Sequence, residues 1–138
     1  MPKQSNSKAK LSRRQIRDLD IEIDFLEGLV RRDPTYVDAV RLLAQDYALR
    51  GRFEDSLRLG QRLVVLQPDD PMSFYQLACG YALNRQIHEA ALALAAAIER
   101  GYRDFDRLAT DPLLENLRRH PMFRQAASKI RSLTRRTR

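Results

Sequence analysis

Hydrophobic residues recur at helical spacing along most of the chain. In residues 37–50 they follow the i, i+3, i+4, i+7, i+8 pattern that places apolar side chains on one face of a helix. These positions are Val40, Leu43, Ala44, Tyr47 and Ala48. Residues 53–64 and 87–98 show comparable amphipathic patterns, and no segment has the sustained alternation that is typical of a strand. The pattern therefore predicts an all-α protein.

The chain repeats itself at a shift of 34 residues. Residues 43–49 (Leu-Ala-Gln-Asp-Tyr-Ala-Leu) align with residues 77–83 (Leu-Ala-Cys-Gly-Tyr-Ala-Leu), and five of the seven positions are identical. Each unit is predicted to contain two helices joined by a tight turn, where Gly51 and Asn84 are residue types that tolerate a left-handed backbone. Asp70 followed by Pro71 is typical of a helix start. We expect two repeats, at residues 37–66 and 71–100.

Residues 37–102 resemble two consecutive tetratricopeptide repeats. The matching positions are Val40, Leu43, Ala44, Tyr47, Ser56, Leu63 and Pro68 in the first unit, and Phe74, Leu77, Ala78, Tyr81, Ala90, Leu94 and Ala97 in the second. Gly60 departs from the family pattern, in which a bulky apolar residue stands there, and it indicates either close helix approach or a large/small exchange with Leu63. The resemblance implies a short right-handed solenoid of helical hairpins that binds a protein partner without catalysis.

The C-terminal part is similar to the "end-of-group" tail that closes bacterial tetratricopeptide arrays. The residues that carry this similarity are Gly101, Tyr102, Leu108, Asp111, Pro112, Leu114, Leu117, Arg118, Pro121 and Phe123. The similarity implies a helical cap over residues 104–133. Asp111 is predicted to cap a helix that begins at Pro112, and Pro121 to begin another helix with Phe123 facing the core.

Residues 11–32 are predicted to form one long helix. Ser12 and Gln15 have the spacing of a capping box, and the core-facing positions follow a regular 3-4 spacing: Ile16, Leu19, Ile23, Leu26 and Val30. Phe25 and Leu29 are expected to widen this face. Two uses of the helix remain open, because it can cap the first repeat or form the seam of a homodimer.

Charge is distributed unevenly along the 138 residues, whose net charge is +7. Residues 1–17 contain six Lys or Arg and residues 116–138 contain eight, and neither segment contains an acid, so the middle of the chain is acidic. We expect basic tails at residues 1–10, which would be disordered, and 134–138. No apolar run approaches the roughly 20 residues that span a bilayer. The single cysteine, Cys79, fits a reducing compartment, so we expect a cytoplasmic protein.

The sequence lacks the clustered titratable residues that catalysis or metal binding needs. Its two histidines are His88, in the first turn of a predicted helix, and His120, which precedes a proline and is expected to act as a cap. No glycine-rich phosphate loop and no paired-cysteine motif occurs. We therefore expect no enzyme activity, no cofactor and no metal.

A binding groove is predicted along the first helix of each repeat, on the faces that internal packing does not use. Its residues are Asp38, Arg41, Leu42, Gln45, Leu49, Met72, Tyr75, Gln76, Cys79 and Leu83. Polar members such as Arg41 and Gln76 can hydrogen-bond a peptide backbone or a terminal carboxylate, while Met72 and Tyr75 offer apolar pockets. The expected partner is a peptide or protein segment.

An alternative partner is a nucleic acid or another anionic surface, contacted by the basic ends of the chain. The candidate contacts are Arg13, Arg14, Arg17, Arg118, Arg119, Lys129 and Arg131. Each phosphate contact would add about one unit to the salt dependence of binding. The basic ends offer no aromatic residue for stacking on single strands, since Phe123 is expected in the core. A peptide groove is therefore favoured over nucleic acid.

Overall fold

The computed structural model describes residues 10–136, and all regular structure within this range is helical. The helices are α1 (Arg13–Arg32), α2 (Val37–Arg50), α3 (Phe53–Leu66), α4 (Pro71–Leu83), α5 (Ile87–Glu99), α6 (Phe105–Thr110), α7 (Glu115–Arg118) and α8 (Phe123–Arg136), with a 3₁₀ turn at Pro112–Leu114 before α7. The predicted all-α class is confirmed. No helix within the described residues combines the length and the apolar character that crossing a membrane requires.

Local hydrogen bonds define several helix starts as the sequence predicted. The capping box of α1 is formed, because the Gln15 backbone N–H donates to Ser12 Oγ at 3.1 Å and the Ser12 N–H donates to Gln15 Oε1 at 2.8 Å. Asp70 caps α4 by accepting from the Met72 N–H at 2.9 Å, with Pro71 at the first helical position. These caps satisfy backbone donors that have no partner inside the helix.

Helices α2 and α4, the first helix of each pair, end in different backbone conformations. Gly51 after α2 has a φ of 87°, as predicted. Asn84 after α4 has a φ of −92°, so the prediction of a left-handed Asn84 is wrong, and Arg85 takes the positive φ of 61°. The Asn84 side chain instead donates to the carbonyls of Gly80 at 2.7 Å and Phe53 at 2.9 Å. Asn84 therefore closes α4 and joins it to α3 by hydrogen bonds.

The apolar core has two parts that follow the order of the chain. The first is formed by α1, α2 and α3, with Ile23, Leu26, Leu43 and Leu63 among its buried residues. The second surrounds α4 and α5 and extends into α6, α7, α8 and the 3₁₀ turn. Helix α4 is the central element, since it packs against α3, α5, the 3₁₀ turn and α7. Most of its surface is therefore covered.

Two glycines set the distance between α3 and α4. A Cβ atom on Gly80 of α4 would lie 3.0 Å from the Cα of Leu57, and one on Gly60 of α3 would lie 3.2 Å from the Cα of Leu77. Both distances are shorter than ordinary van der Waals contact between carbon atoms. The close helix approach that Gly60 indicated in the sequence is confirmed.

Helix α1 packs against the rest of the protein through one face. Ile23, Leu26 and Val30 are buried, as predicted, whereas Phe25 is 61% exposed and Ile21 is 68% exposed. Phe25 lies two residues after Ile23, which places it about 200° further around the helix. The prediction that Phe25 widens the core face is therefore wrong.

The predicted tails lie largely outside the described residues, which exclude 1–9 and 137–138. Within the described part, residues 134–136 continue α8 and are not a separate tail. Helix α8 begins at Phe123, two residues after the predicted start at Pro121, because the Met122 N–H bonds to His120 Nδ1 at 3.1 Å in a turn. The His120 side chain therefore closes the turn that precedes α8, and it does not cap the helix itself.

Candidate protein-binding face

Three residues of the predicted groove are buried. Tyr75 and Cys79 are each 1% exposed and Gln76 is 5% exposed. The prediction that Tyr75, Gln76 and Cys79 line an open groove is therefore wrong. The physical reason is that the 3₁₀ turn and α7 pack against α4 and cover the side that the two-repeat pattern leaves open.

Tyr75 is fixed by a cluster of polar and aromatic contacts, which we call the cap junction: Tyr75, Tyr102, Arg107 and Asp111. The Tyr75 hydroxyl donates to Asp111 Oδ2 at 2.6 Å, and its ring stacks on Tyr102 with ring centres 4.5 Å apart. Arg107 Nε lies 3.5 Å from the same Asp111 oxygen, and its guanidinium is 5.0 Å from the Tyr75 ring centre. Burial, reinforced by the hydrogen bond to Asp111, raises the pKa of Tyr75 and keeps it a neutral donor.

Asp111 links the cap junction to the backbone of the C-terminal cap. Its Oδ1 accepts from the Leu113 N–H at 3.0 Å, which caps the 3₁₀ turn as the sequence predicted. Arg118 Nη1 donates to the carbonyls of Leu108 at 2.9 Å and Asp111 at 2.7 Å. Arg118 therefore bonds within the cap through Nη1, and its predicted contact with an anionic partner stays a prediction.

Cys79 lies on α4 close to this junction. Burial, with a further contribution from the negative charge of Asp111, raises the pKa of its thiol. A protonated, inaccessible thiol is a poor nucleophile. Cys79 therefore contributes to the core as a small apolar side chain.

The part of the predicted groove that stays accessible lies mainly on α2. Asp38, Leu42, Gln45 and Leu49 are spaced at i, i+4, i+7 and i+11, which places them along one stripe of the helix. Leu42 is 39% exposed and Leu49 is 57% exposed, whereas Gln45 is half-buried. We call these four residues the α2 face.

Arg41 lies beside the α2 face but is already engaged in ion pairs. Its Nη2 is 2.9 Å from Asp70 Oδ2, and its Nη1 is 3.6 Å from Asp38 Oδ1. Its Nε has no hydrogen-bond partner among residues 10–136. The pairing with Asp70 reduces the positive charge that Arg41 can offer to a terminal carboxylate.

The remaining predicted residues are Met72 and Leu83, which are both half-buried on α4. Leu83 lines a cleft of about 300 Å³ together with Phe53, Asn84, Arg85, Pro112, Glu115 and Asn116. Phe53 is 37% exposed and does not belong to the groove that the sequence predicts. Its position at the first residue of α3, directly after the turn that follows the α2 face, is the signal that indicates partial exposure.

The predicted anion contacts are divided between the two ends of the molecule. Arg13, Arg14 and Arg17 are exposed on α1, and Arg131 is exposed on α8. Lys129 Nζ is 2.6 Å from Glu99 Oε2, and Arg119 Nη2 is 3.0 Å from Glu115 Oε2. Two of these side chains are therefore paired with acids, whereas the exposed arginines lie on the first and last helices of the described chain. Nucleic-acid binding stays a prediction.

A buried carboxyl group connects α2 to α1. Asp46 is 3% exposed, and its Oδ2 has no hydrogen-bond partner within the described range. Burial raises the pKa of Asp46 to about 7, with further contributions from the hydrogen bond to Glu22 and from the negative charge of Glu22. Asp46 therefore carries a proton in the folded state over a range of pH in which an exposed aspartate is ionised.

The raised pKa of Asp46 predicts a specific pH dependence of stability. Between about pH 4 and pH 7 the folded chain holds a proton on Asp46 that the unfolded chain has lost, so the contribution of Asp46 to stability falls as the pH rises. Asp46→Asn should flatten this dependence and raise the free energy of unfolding at about pH 8 by roughly 1–3 kcal/mol. Urea denaturation of both proteins at about pH 5 and about pH 8 measures the effect. An unchanged pH dependence in the variant would contradict it.

Part of the chain is similar to a plant protein. No protein-family model matches the chain, and no solved structure matches it. The chain is similar to a chloroplastic protein of Arabidopsis thaliana, with 30% identity over 80 residues. The match covers 56% of this chain and 24% of that protein, so the chain spans about a quarter of the length of that relative. The name of that relative states that it is chloroplastic. The cytoplasmic location expected for the present chain stays a prediction.

Proposed function

We propose that the chain is a tetratricopeptide-like protein that binds a segment of another protein, without catalysis, through the α2 face. The observation that carries the proposal is the exposure of Leu42 and Leu49 on a helix whose other apolar residues are mostly buried. Exposed apolar side chains that form a stripe beside polar ones are typical of protein-binding surfaces.

The fold part of this proposal rests on the internal repeat and on the way the helices pair. Helices α2 and α3 pack together, α4 and α5 pack together, and α3 packs against α4. Ser56 of α3 donates from its hydroxyl to the Ala44 carbonyl of α2 at 2.8 Å, at a position where the family pattern has a small residue. These features support two stacked helical hairpins, each of which buries the apolar side of the other.

The binding part of the proposal differs from the groove expected from the sequence. The C-terminal cap covers the α4 half of that groove, so the α2 half provides the accessible surface. Leu42 and Leu49 supply apolar contacts, while Gln45 supplies an amide that can bond to a peptide backbone. Since Arg41 is paired with Asp70, we favour an apolar segment over a terminal carboxylate as the bound group.

Loss of the two exposed leucines should abolish partner binding without unfolding the protein. We expect that proteins which co-purify with the wild-type chain from native cells no longer co-purify with the double variant Leu42→Ser, Leu49→Ser. Substitutions at exposed positions change stability little, so circular dichroism should remain helical. Val65→Ser combined with Leu92→Ser is the matched control, because Val65 is 77% exposed and Leu92 57% exposed on α3 and α5. Retention by the α2-face variant equal to that of wild type would overturn the proposal.

A further inference from the structure

A second accessible surface lies on the other side of α2. It is a shallow cleft of about 550 Å³, open to solvent, between α1 and α3, with α2 as its floor. The lining residues are Glu27, Val30, Arg31, Pro34, Leu43, Tyr47, Leu59 and Arg62. Leu43 lies about 200° around α2 from Gln45 on the α2 face, at 100° per residue. The cleft and the α2 face are therefore separate surfaces.

The floor of this cleft is largely apolar. Val30, Leu43 and Leu59 are core residues whose outermost atoms reach the cleft, and Pro34 borders it after the end of α1. A volume of this size falls in the range of small binding sites. One or two apolar side chains of a partner segment can occupy it.

The acidic group of the cleft is already neutralised by its neighbours. Glu27 Oε2 accepts from the Tyr47 hydroxyl at 2.5 Å and lies 3.5 Å from Arg52 Nη1. The guanidinium of Arg52 also lies 4.4 Å from the centre of the Tyr47 ring. Burial and the contact with Glu27 raise the pKa of Tyr47 to about 12. Glu27 is thus a fixed structural group and has little free negative charge.

Two basic side chains border the cleft. Arg31 on α1 and Arg62 on α3 are exposed, and neither has an ion-pair partner among the residues that the structure describes. They lie on opposite sides of the cleft, with the apolar floor between them. Arg52 also pairs with Asp55, which Arg58 contacts as well, so these two guanidinium groups balance the charges of Glu27 and Asp55. Arg31 and Arg62 therefore leave the cleft with a net positive charge. It is therefore complementary to a group that combines apolar and acidic side chains.

We propose that this cleft binds an acidic segment of a partner protein, with a leucine-like side chain on the floor and carboxylates bonded to Arg31 and Arg62. Guanidinium groups suit this role, because they bind carboxylates with two parallel hydrogen bonds. Residues 1–17 and 116–138 do not supply such a segment, since they contain no acid. The proposal is independent of binding at the α2 face.

The test uses the full chain with labelled methyl groups and a defined peptide. The probe is the N-acetylated, C-amidated octapeptide Gly-Glu-Glu-Leu-Leu-Glu-Glu-Gly. We expect it to shift the methyl NMR signals of Val30, Leu43 and Leu59 with a dissociation constant of about 1 mM or lower. A peptide with Lys in place of each Glu, and one with Ala in place of each Leu, should each bind at least about tenfold more weakly.

Variants of the chain separate a specific site from general electrostatic attraction. Arg31→Gln combined with Arg62→Gln should weaken binding of the acidic peptide at least about tenfold, which corresponds to about 1.4 kcal/mol. Arg124→Gln combined with Arg131→Gln removes the same charge from exposed positions on α8 and should leave binding within about twofold.

Three results would overturn the proposal. They are the absence of shifts at Leu43 and Leu59 at about 10 mM peptide, equal weakening by both double variants, and equal binding of the lysine peptide. Shifts confined to Leu42 and Leu49 would also overturn it, and would place the peptide on the α2 face. Failure of the cleft therefore leaves the proposed function standing, and the leucine variants of the α2 face test that function separately.

Discussion

Tyr75→Ala should lower the free energy of unfolding by about 4–8 kcal/mol. Replacing a buried aromatic side chain by alanine costs about 3–5 kcal/mol, and Tyr75 is 1% exposed and stacked on Tyr102. The change also removes the donor to Asp111, and a buried polar group that loses its partner adds about 1–3 kcal/mol. A small domain is stable by only about 5–15 kcal/mol. Urea denaturation should therefore show a nearly unfolded or strongly destabilised variant.

Two control variants separate the parts of this effect. Tyr75→Phe keeps the ring and removes only the hydroxyl, so we expect a loss of about 1–3 kcal/mol. Tyr36→Ala changes a tyrosine that is 46% exposed and makes no side-chain cap, and we expect a loss below about 1 kcal/mol. If Tyr75→Ala stays within about 1 kcal/mol of wild type, the cap junction does not hold the C-terminal cap as described.

Gly80→Val should lower the free energy of unfolding by about 3 kcal/mol. Its Cβ would lie 3.0 Å from the Leu57 Cα, which is backbone and cannot rotate away. The added side chain would therefore push α3 and α4 apart, and overpacking of this kind costs about 1–3 kcal/mol or more. Thermal and urea denaturation measure the loss.

Gly28→Ala is the matched control for this prediction. Gly28 also lies inside a helix, but the nearest atom to an added Cβ is the end of the flexible Arg32 side chain, at 3.8 Å. Alanine favours the helix over glycine by roughly 1 kcal/mol, so this variant should gain stability. No stability loss in Gly80→Val would show that the α3–α4 approach does not limit side-chain size. An equal loss in Gly28→Ala would show that the loss in Gly80→Val does not depend on that approach.

Local features of the fold could be predicted from the sequence because they depend on neighbouring residues. The caps at Ser12 and Asp70 and the left-handed Gly51 each involve groups within a few positions along the chain. The left-handed backbone predicted for Asn84 was wrong. Its side chain bonds to the carbonyl of Phe53, which is 31 residues away in sequence. Such a contact leaves no trace in local spacing.

The candidate site was harder to predict because burial depends on distant segments. Tyr75 and Cys79 have the helical positions of groove residues, but Asp111, which is 36 residues from Tyr75, brings the C-terminal cap over them. Similarly, Arg118 was assigned to a basic surface by charge alone, whereas it bonds to two backbone carbonyls. The exposure of Leu42 and Leu49 on α2 could be predicted from helical spacing, since both side chains stay accessible in the folded chain.

The α1–α3 cleft could not be predicted from the sequence, because the residues on its two sides are far apart along the chain. Arg31 and Arg62 belong to different helices and to no common motif, so only the packing of α1, α2 and α3 brings them to one cleft. Their shared position beside an apolar floor is a property of that packing.

The most direct measurement is photo-crosslinking from single positions of the chain in native cells. A benzoylphenylalanine at Leu42 lies on the α2 face, and the same residue at Val65 is the control, since Val65 is 77% exposed on α3. We predict a discrete crosslinked partner from position 42 and none from position 65. The absence of a crosslink from position 42, or identical adducts from both positions, would contradict binding at the α2 face.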